Sequence, residues 1–294
     1  MNKSRILIFG ATGMLGHQLY KILSYNTKLV VYGTCRNTTK SKILSRYKKL
    51  ITFRNLFELN KLRIFINKMK PDIVINCVGI IKQNSKLNSK KIIFKTNSTF
   101  PNYLSKLAIE SNFKFLHFST DCVFSGNINQ KKKYHENSIP DALDLYGKSK
   151  IAGEKLNQNT LILRTSFIGH ELNINKKSLL DWFLFTKKKT VKGFKNAYFT
   201  GLTNLFIAKF INKNIPFIKK NFGIFHLSGS QISKLNLLMM INRIYNVKRE
   251  IIPDSGLKIN RSLSNNKLKK IINFRNPAWH QMLKKLKKTS KEYF

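Results

Sequence analysis

The chain has 294 residues, 42% of them hydrophobic and 22 of them phenylalanine, enough for one large domain or two moderate ones and too apolar for a disordered tail. Lys and Arg number 55 against 13 Asp and Glu, a formal net charge of +42. The lysines are scattered, and the longest pure runs are Lys131–Lys133 and Lys187–Lys189, so the charge reads as a cationic surface that attracts anionic ligands and not as a specific nucleic-acid arm.

In chain order, Arg5–Phe9 reads as a short apolar strand and Met14–Ser24 as a helix, with Leu15, Leu19, Ile22 and Leu23 at helical spacing. Leu29–Thr34 and Ile73–Val78 are further strands, Lys90–Ser111 a helix, Phe113–Ser119 a strand, Tyr146–Leu156 a helix and Leu161–Arg164 a strand. This alternation predicts an α/β Rossmann fold with a doubly wound parallel sheet over residues 1–165. Residues 166–294 are less regular and are expected to form a smaller α/β substrate-binding region. Helices are predicted there at Leu205–Ile211 and Ile232–Tyr245 and a strand at Ile224–Leu227, with Phe183, Phe194, Tyr198, Phe199 and Phe206 as core. The boundary is soft, and segments can return to the first domain. Lys3 and Arg5 precede only a four-residue apolar stretch before the glycines begin, too short for a signal peptide. No run approaches the roughly 18 apolar residues of a membrane span. Cys35, Cys77 and Cys122 form no C-x-x-C pair and no cluster with histidine, which points to a reducing compartment, to small buried side chains and to no metal. A cytoplasmic protein with no membrane partner is expected; a homodimer is allowed.

Gly10-Ala11-Thr12-Gly13-Met14-Leu15-Gly16 is a G-x-x-G-x-x-G loop between the first strand and the first helix. Glycines there permit a tight turn and a close approach of backbone N–H groups to a pyrophosphate, with the helix N-terminus adding partial positive charge. The second strand ends in Gly33-Thr34-Cys35-Arg36-Asn37. NAD sites put a carboxylate at that place for the ribose hydroxyls, whereas an arginine suits a 2′-phosphate. The expected cofactor is therefore NADP(H), with NAD(H) allowed, unless Arg36 is one more surface cation.

Tyr146-Gly147-Lys148-Ser149-Lys150 sets Tyr146 and Lys150 four residues apart, on one helix face. A neighbouring ammonium favours the phenolate, so such a tyrosine can work as an acid near neutral pH. Ser119-Thr120-Asp121 ends a strand at the carboxyl edge of the expected sheet, where ligands of open α/β sheets bind. A Thr120 hydroxyl there can polarise a carbonyl.

Together these segments resemble the extended short-chain dehydrogenase/reductases, and within them the dTDP-4-dehydrorhamnose reductase family. The resembling segments are Ile8–Gly16, Pro71–Cys77, Phe118–Phe124, Leu145–Lys150 with Gly153-Glu154, and Leu163–Ser166. The likeness is specific over residues 1–170 and looser beyond. It implies Thr120, Tyr146 and Lys150 as the catalytic trio and Gly10, Thr12, Gly13, Met14, Leu15 and Gly16 as the dinucleotide loop. It implies Cys77, Val78, Gly79 and Asn97 near the nicotinamide, and Thr120, Asp121 and Arg261 toward substrate. The implied reaction is reduction of the 4-keto group of a nucleotide-linked deoxysugar, used for rhamnose or related surface polysaccharide sugars. Thr52-Phe53-Arg54-Asn55 lacks the carboxylate that relatives often carry near the adenine. An epimerase or dehydratase of the same superfamily, and a nucleotide-binding regulatory subunit, are the alternatives.

Overall fold

The computed structural model describes residues 3–36, 49–82, 87–172 and 177–293. By contacts the chain divides into two compact units. The first comprises Met1–Ser119, Asp144–Leu163 and Ile207–Ile224; the second comprises Thr120–Leu143, Arg164–Phe206 and Phe225–Phe294. The division is interleaved and does not follow a single cut in the sequence.

The first unit is built on β1 (Ser4–Phe9), α1 (Gly16–Ser24), β2 (Leu29–Cys35), β3 (Leu50–Thr52), α2 (Leu59–Met69), β4 (Ile73–Asn76), β5 (Lys114–Thr120) and β6 (Thr160–Thr165). Counted from one edge, the sheet runs Gly223–His226, β6, β5, β4, β1, β2, β3. The pairings of β2 with β3, β1 with β2, β1 with β4 and β4 with β5 are all parallel. A parallel sheet is covered on both faces, and β1 and β4 are accordingly near-continuous apolar runs; Ile6–Phe9 and Ile73–Ile75 are wholly buried. On one face Leu7, Phe9, Val74 and Phe115 pack with Leu62 and Ile66 of α2 and with Leu104 and Leu107 of the helix Phe100–Glu110. Each such aliphatic or aromatic side chain contributes roughly 2 kcal/mol of transfer free energy. The strand order reverses between β1 and β4, and the crevice at such a switch point is where doubly wound sheets take their ligands.

In the first unit, three elements differ most from the sequence expectation. β4 stops at Asn76, two residues before Val78, because Asn76 Oδ1 accepts the Val78 N–H at 2.9 Å and turns the chain out of the ladder. The helix expected over Lys90–Ser111 is broken into Lys90–Phe94, a π-helical turn Lys95–Thr99, and Phe100–Glu110. Pro101 has no N–H to give to the Asn97 carbonyl four residues back, so the regular ladder fails at that point. The helix expected over Tyr146–Leu156 forms only as Leu145–Ile151. Gly153 and Glu154 instead close a turn onto the carbonyls of Lys150 and Ile151.

The second unit has small sheets of its own. Glu250–Asp254 pairs in parallel with Thr190–Phe194, and Ala197–Phe199 lies between Ile232–Ser233 and Ile259–Asn260. Ile232 and Ser233 are therefore strand, and the helix begins at Lys234, capped by Ser233 Oγ accepting the Asn236 N–H. Phe183 and Phe199 are buried core, whereas Phe194, Tyr198 and Phe206 are half-buried. Among the described residues, no helix is long and apolar enough to cross a membrane.

Candidate active site

The glycine loop joins β1 to α1. Gly10 adopts φ +78°, and a Cβ there would press on Val78 Cγ2 at 3.0 Å. A Cβ on Gly16 would lie 2.0 Å from the Gly10 carbonyl oxygen, so no larger residue fits that turn. The Gly13 N–H closes the turn onto Gly10 O at 3.0 Å. The amides of Thr12 and Leu15 have no backbone partner among the described residues. α1 begins beyond Leu15 with no side-chain cap and no acidic residue in its first turn, which leaves its positive end unopposed. Met14 sits within this same turn. A loop of uncapped amides at a helix start, glycine-lined where backbone must come close, fits the pyrophosphate of a dinucleotide. Arg36 follows β2 directly and is exposed; Asn37 lies outside the described residues.

Val78 and Cys77 pack against Gly10, and Gly79 is exposed beside them. Asn97 ties this segment to the Tyr146 helix. Its Oδ1 accepts the Ile80 N–H at 2.8 Å, and its Nδ2 donates to Ile80 O and to Ser149 Oγ, both at 3.0 Å. Asn97 is wholly buried. Its side chain therefore braces the Cys77–Ile80 segment against the Tyr146 helix.

The short helix Leu145–Ile151 is started by Asp144, whose carboxylate accepts the Gly147 N–H at 2.8 Å and pairs with Lys82. Tyr146 is half-buried on it and Lys150 is 5% exposed. Lys150 Nζ donates to Phe118 O of β5 at 2.7 Å and lies 3.4 Å from His117 Nε2. Burial lowers the Lys150 pKa to about 8, against a smaller upward pull from Glu154. Glu154 accepts a hydrogen bond from Ser119 Oγ. A Cβ on Gly153 would lie 2.0 Å from the Asn97 carbonyl oxygen, so glycine lets this turn close onto the π-helical segment.

In the second unit, the Thr120 hydroxyl accepts the Cys122 N–H at 3.1 Å and contacts Asp121 Oδ1 at 3.2 Å. Asp121 is buried, which raises its carboxyl pKa, while Arg261 and Lys234 pull it back down. Arg261 Nε donates to Phe124 O at 2.8 Å and its guanidinium reaches Cys122 Sγ at 3.6 Å. Burial, and then the Asp121 charge, push the Cys122 thiol up to about 12. Lys234 Nζ stands 4.0 Å from the centre of the Phe199 ring. Lys234 beside Asp121 in the second unit, and His117 and Asn76 beside Lys150 in the first, are polar groups that the sequence reading missed. A polar residue interrupting an otherwise apolar strand, as in Ile73–Asn76 and Phe115–Phe118, was the available signal for the last two.

A doubly wound sheet with a glycine loop at its first turn, a Tyr-x-x-x-Lys helix and a Ser-Thr-Asp strand end defines an extended short-chain dehydrogenase/reductase. More narrowly, the chain belongs to the RmlD substrate binding domain family, whose model matches residues 4–291. It is 33% identical over 179 residues to dTDP-4-dehydrorhamnose reductase of Aggregatibacter actinomycetemcomitans, covering 58% of this chain and 54% of that protein. It is 29% identical over 164 residues to methionine adenosyltransferase 2 subunit beta of Xenopus tropicalis, covering 54% of this chain and 46% of that one. The chain thus spans about half the length of the curated relatives it matches. The crystal structure of dTDP-4-dehydrorhamnose reductase from Bacillus anthracis in complex with NADP superposes with a TM-score of 0.79 at 22% identity, over 97% of this chain and 98% of that one. The NAD complex of dTDP-glucose 4,6-dehydratase from the same organism gives 0.79 at 14% identity, over 99% and 98%. These two superpositions establish the fold.

Proposed function

We propose that the protein is an oxidoreductase that uses NADPH, with NADH as a weaker substitute, to reduce the 4-keto group of a nucleotide-linked deoxysugar in the supply of surface polysaccharide sugars. The reading rests on one observation above all. Lys150 is buried, anchored to the β5 backbone at Phe118 O, and set one helical turn from Tyr146. An ammonium in that position favours ionisation of the Tyr146 phenol and makes it a competent proton donor near neutral pH. The amides of the Gly10–Gly16 loop would hold the pyrophosphate, and Arg36 would face a 2′-phosphate. When bound, the nicotinamide supplies the hydride. The Thr120 hydroxyl polarises the substrate carbonyl, Tyr146 gives its proton to the oxygen, and Lys150 holds Tyr146 to that task. Asp121 and Arg261 serve the sugar nucleotide.

The test is to follow NADPH oxidation on a dTDP-linked 4-keto-6-deoxyhexose. Stoichiometric oxidation with a 4-hydroxy product is expected, and its absence for every 4-keto sugar nucleotide tried would overturn the reading. The match to a methionine adenosyltransferase subunit favours a second reading, a nucleotide-binding subunit without turnover. The presence of Thr120, Tyr146 and Lys150 together speaks against it.

A further inference from the structure

His117 lies between Asn76 and Lys150, and all three side chains are buried. The donors and acceptors around its ring allow one arrangement. The Val78 N–H can only donate, and it donates to Asn76 Oδ1 at 2.9 Å. Asn76 is thereby fixed with its Nδ2 toward His117 Nδ1, at 3.2 Å. An amide NH₂ can only donate, so His117 Nδ1 is the acceptor and a neutral ring carries its proton on Nε2. That N–H is the one facing Lys150 Nζ at 3.4 Å. A ring N–H directed at a nitrogen is attractive when the nitrogen offers a lone pair and repulsive when it is an ammonium. The Phe118 carbonyl at 2.7 Å accepts a hydrogen bond from either form of the lysine.

We infer that His117, locked by Asn76 as its Nε2–H tautomer, is a positioning residue that sets the proton affinity of Lys150 and keeps the amine able to titrate. Three titratable groups act on that amine, and a fourth lies on the same helix. From β5, His117 is held well below its usual pKa by burial first and by the Lys150 charge second, so it stays neutral. From the end of β4, the Cys77 thiol is pushed up by burial and also stays neutral. From the turn after the helix, Glu154 favours the ammonium and opposes burial. From its own helix, Tyr146 lies one turn away. A lysine so balanced differs from one permanently charged, and the tautomer of His117 tips the balance toward the amine. That Lys150 then governs turnover rests on the reductase reading; its titration does not.

The test therefore begins without cofactor or substrate. Two-bond nitrogen–proton correlation spectra of protein labelled with ¹⁵N-histidine report the tautomer of His117 directly, and the Nε2–H form is expected. The pH dependence of Lys150 acylation by trace acetic anhydride, read by mass spectrometry on its peptide, gives its titration. Asn76→Asp accepts from both Val78 N–H and the ring, switches the tautomer, and should raise the proton affinity of Lys150 at least tenfold. His117→Gln, whose amide can turn its oxygen to the ammonium, should raise it as well. In the enzyme assay, the alkaline limb of the pH profile should move upward by the same amount in both variants. An Nδ1–H or cationic His117 in the unaltered protein would overturn the inference whether or not either variant folds. So would a folded His117→Gln protein with an unchanged Lys150 titration. If the spectra and labelling come out as expected while no 4-keto sugar is reduced, the inference stands and the reductase reading fails.

Discussion

At the scale of single residues the proposal places most of its weight on Tyr146 and Lys150. Tyr146→Phe removes the proposed proton donor and leaves the helix, its Asp144 cap and the Asn97 brace untouched. Turnover should fall by about 10²–10⁴-fold, with cofactor affinity nearly unchanged in a fluorescence titration. Loss of less than threefold would mean that another group donates the proton. Lys150 also has a consequence for stability. Its pKa is 10.5 in the unfolded chain and about 8 in the folded one, so the unfolded state binds the extra proton between those values. The cost of burying the amine is complete below about pH 8 and is relieved as the pH rises toward 10.5. Lys150→Met lacks this dependence. The stability of the unaltered protein relative to Lys150→Met should therefore improve by roughly 3 kcal/mol across that window, measured by urea denaturation. A flat difference would show that Lys150 is not perturbed. Cys122 bears on the alternative reaction. Dehydration of a sugar needs a second acid or base beside the tyrosine, and a thiol pushed up to about 12 is neutral at working pH. Incubation with NADP⁺ and dTDP- or UDP-linked 4-hydroxy hexoses should give no product lighter by one water in mass spectra.

At the scale of elements, what was legible was whatever chemistry is local in the chain. The apolar run Ile6–Phe9, the glycines that follow it and the four-residue spacing of Tyr146 and Lys150 each specify their conformation within one strand–turn–helix unit. Asn76 and His117 were not legible, because they meet only as register partners across β4 and β5, forty-one residues apart in sequence. The premature ends of β4 and of the Tyr146 helix have the same origin. One is set by a side-chain hydrogen bond, the other by a glycine whose need becomes visible only when the Asn97 carbonyl is beside it. Gly153→Ala tests that point. Its Cβ would meet backbone, which cannot give way as a flexible side chain can, so a loss of at least about 2 kcal/mol is expected. A melting temperature equal to that of the unaltered protein would show that the turn is not pinned.

At the scale of the whole molecule, the charge of +42 and the choice of cofactor are connected. A cationic surface draws in any anion, so NADPH will associate faster than its contacts alone require, and this part should fade with salt. The specific part is assigned to Arg36, exposed at the end of β2 where an NAD site would carry a carboxylate. At 0.5 M salt NADPH should still bind more tightly than NADH, and Arg36→Ala should bring the two affinities together. A preference that survives the substitution would assign it to the general field.

The most direct test of the central claim is a single stoichiometric assay of the unaltered protein. NADPH oxidation is followed at high salt with a dTDP-linked 4-keto-6-deoxyhexose, and the sugar product is identified by mass spectrometry and NMR. One NADPH consumed per 4-hydroxy sugar formed, abolished in Tyr146→Phe, is the predicted result. Tight NADPH binding without oxidation on any 4-keto sugar nucleotide would contradict it and leave the protein a binding subunit.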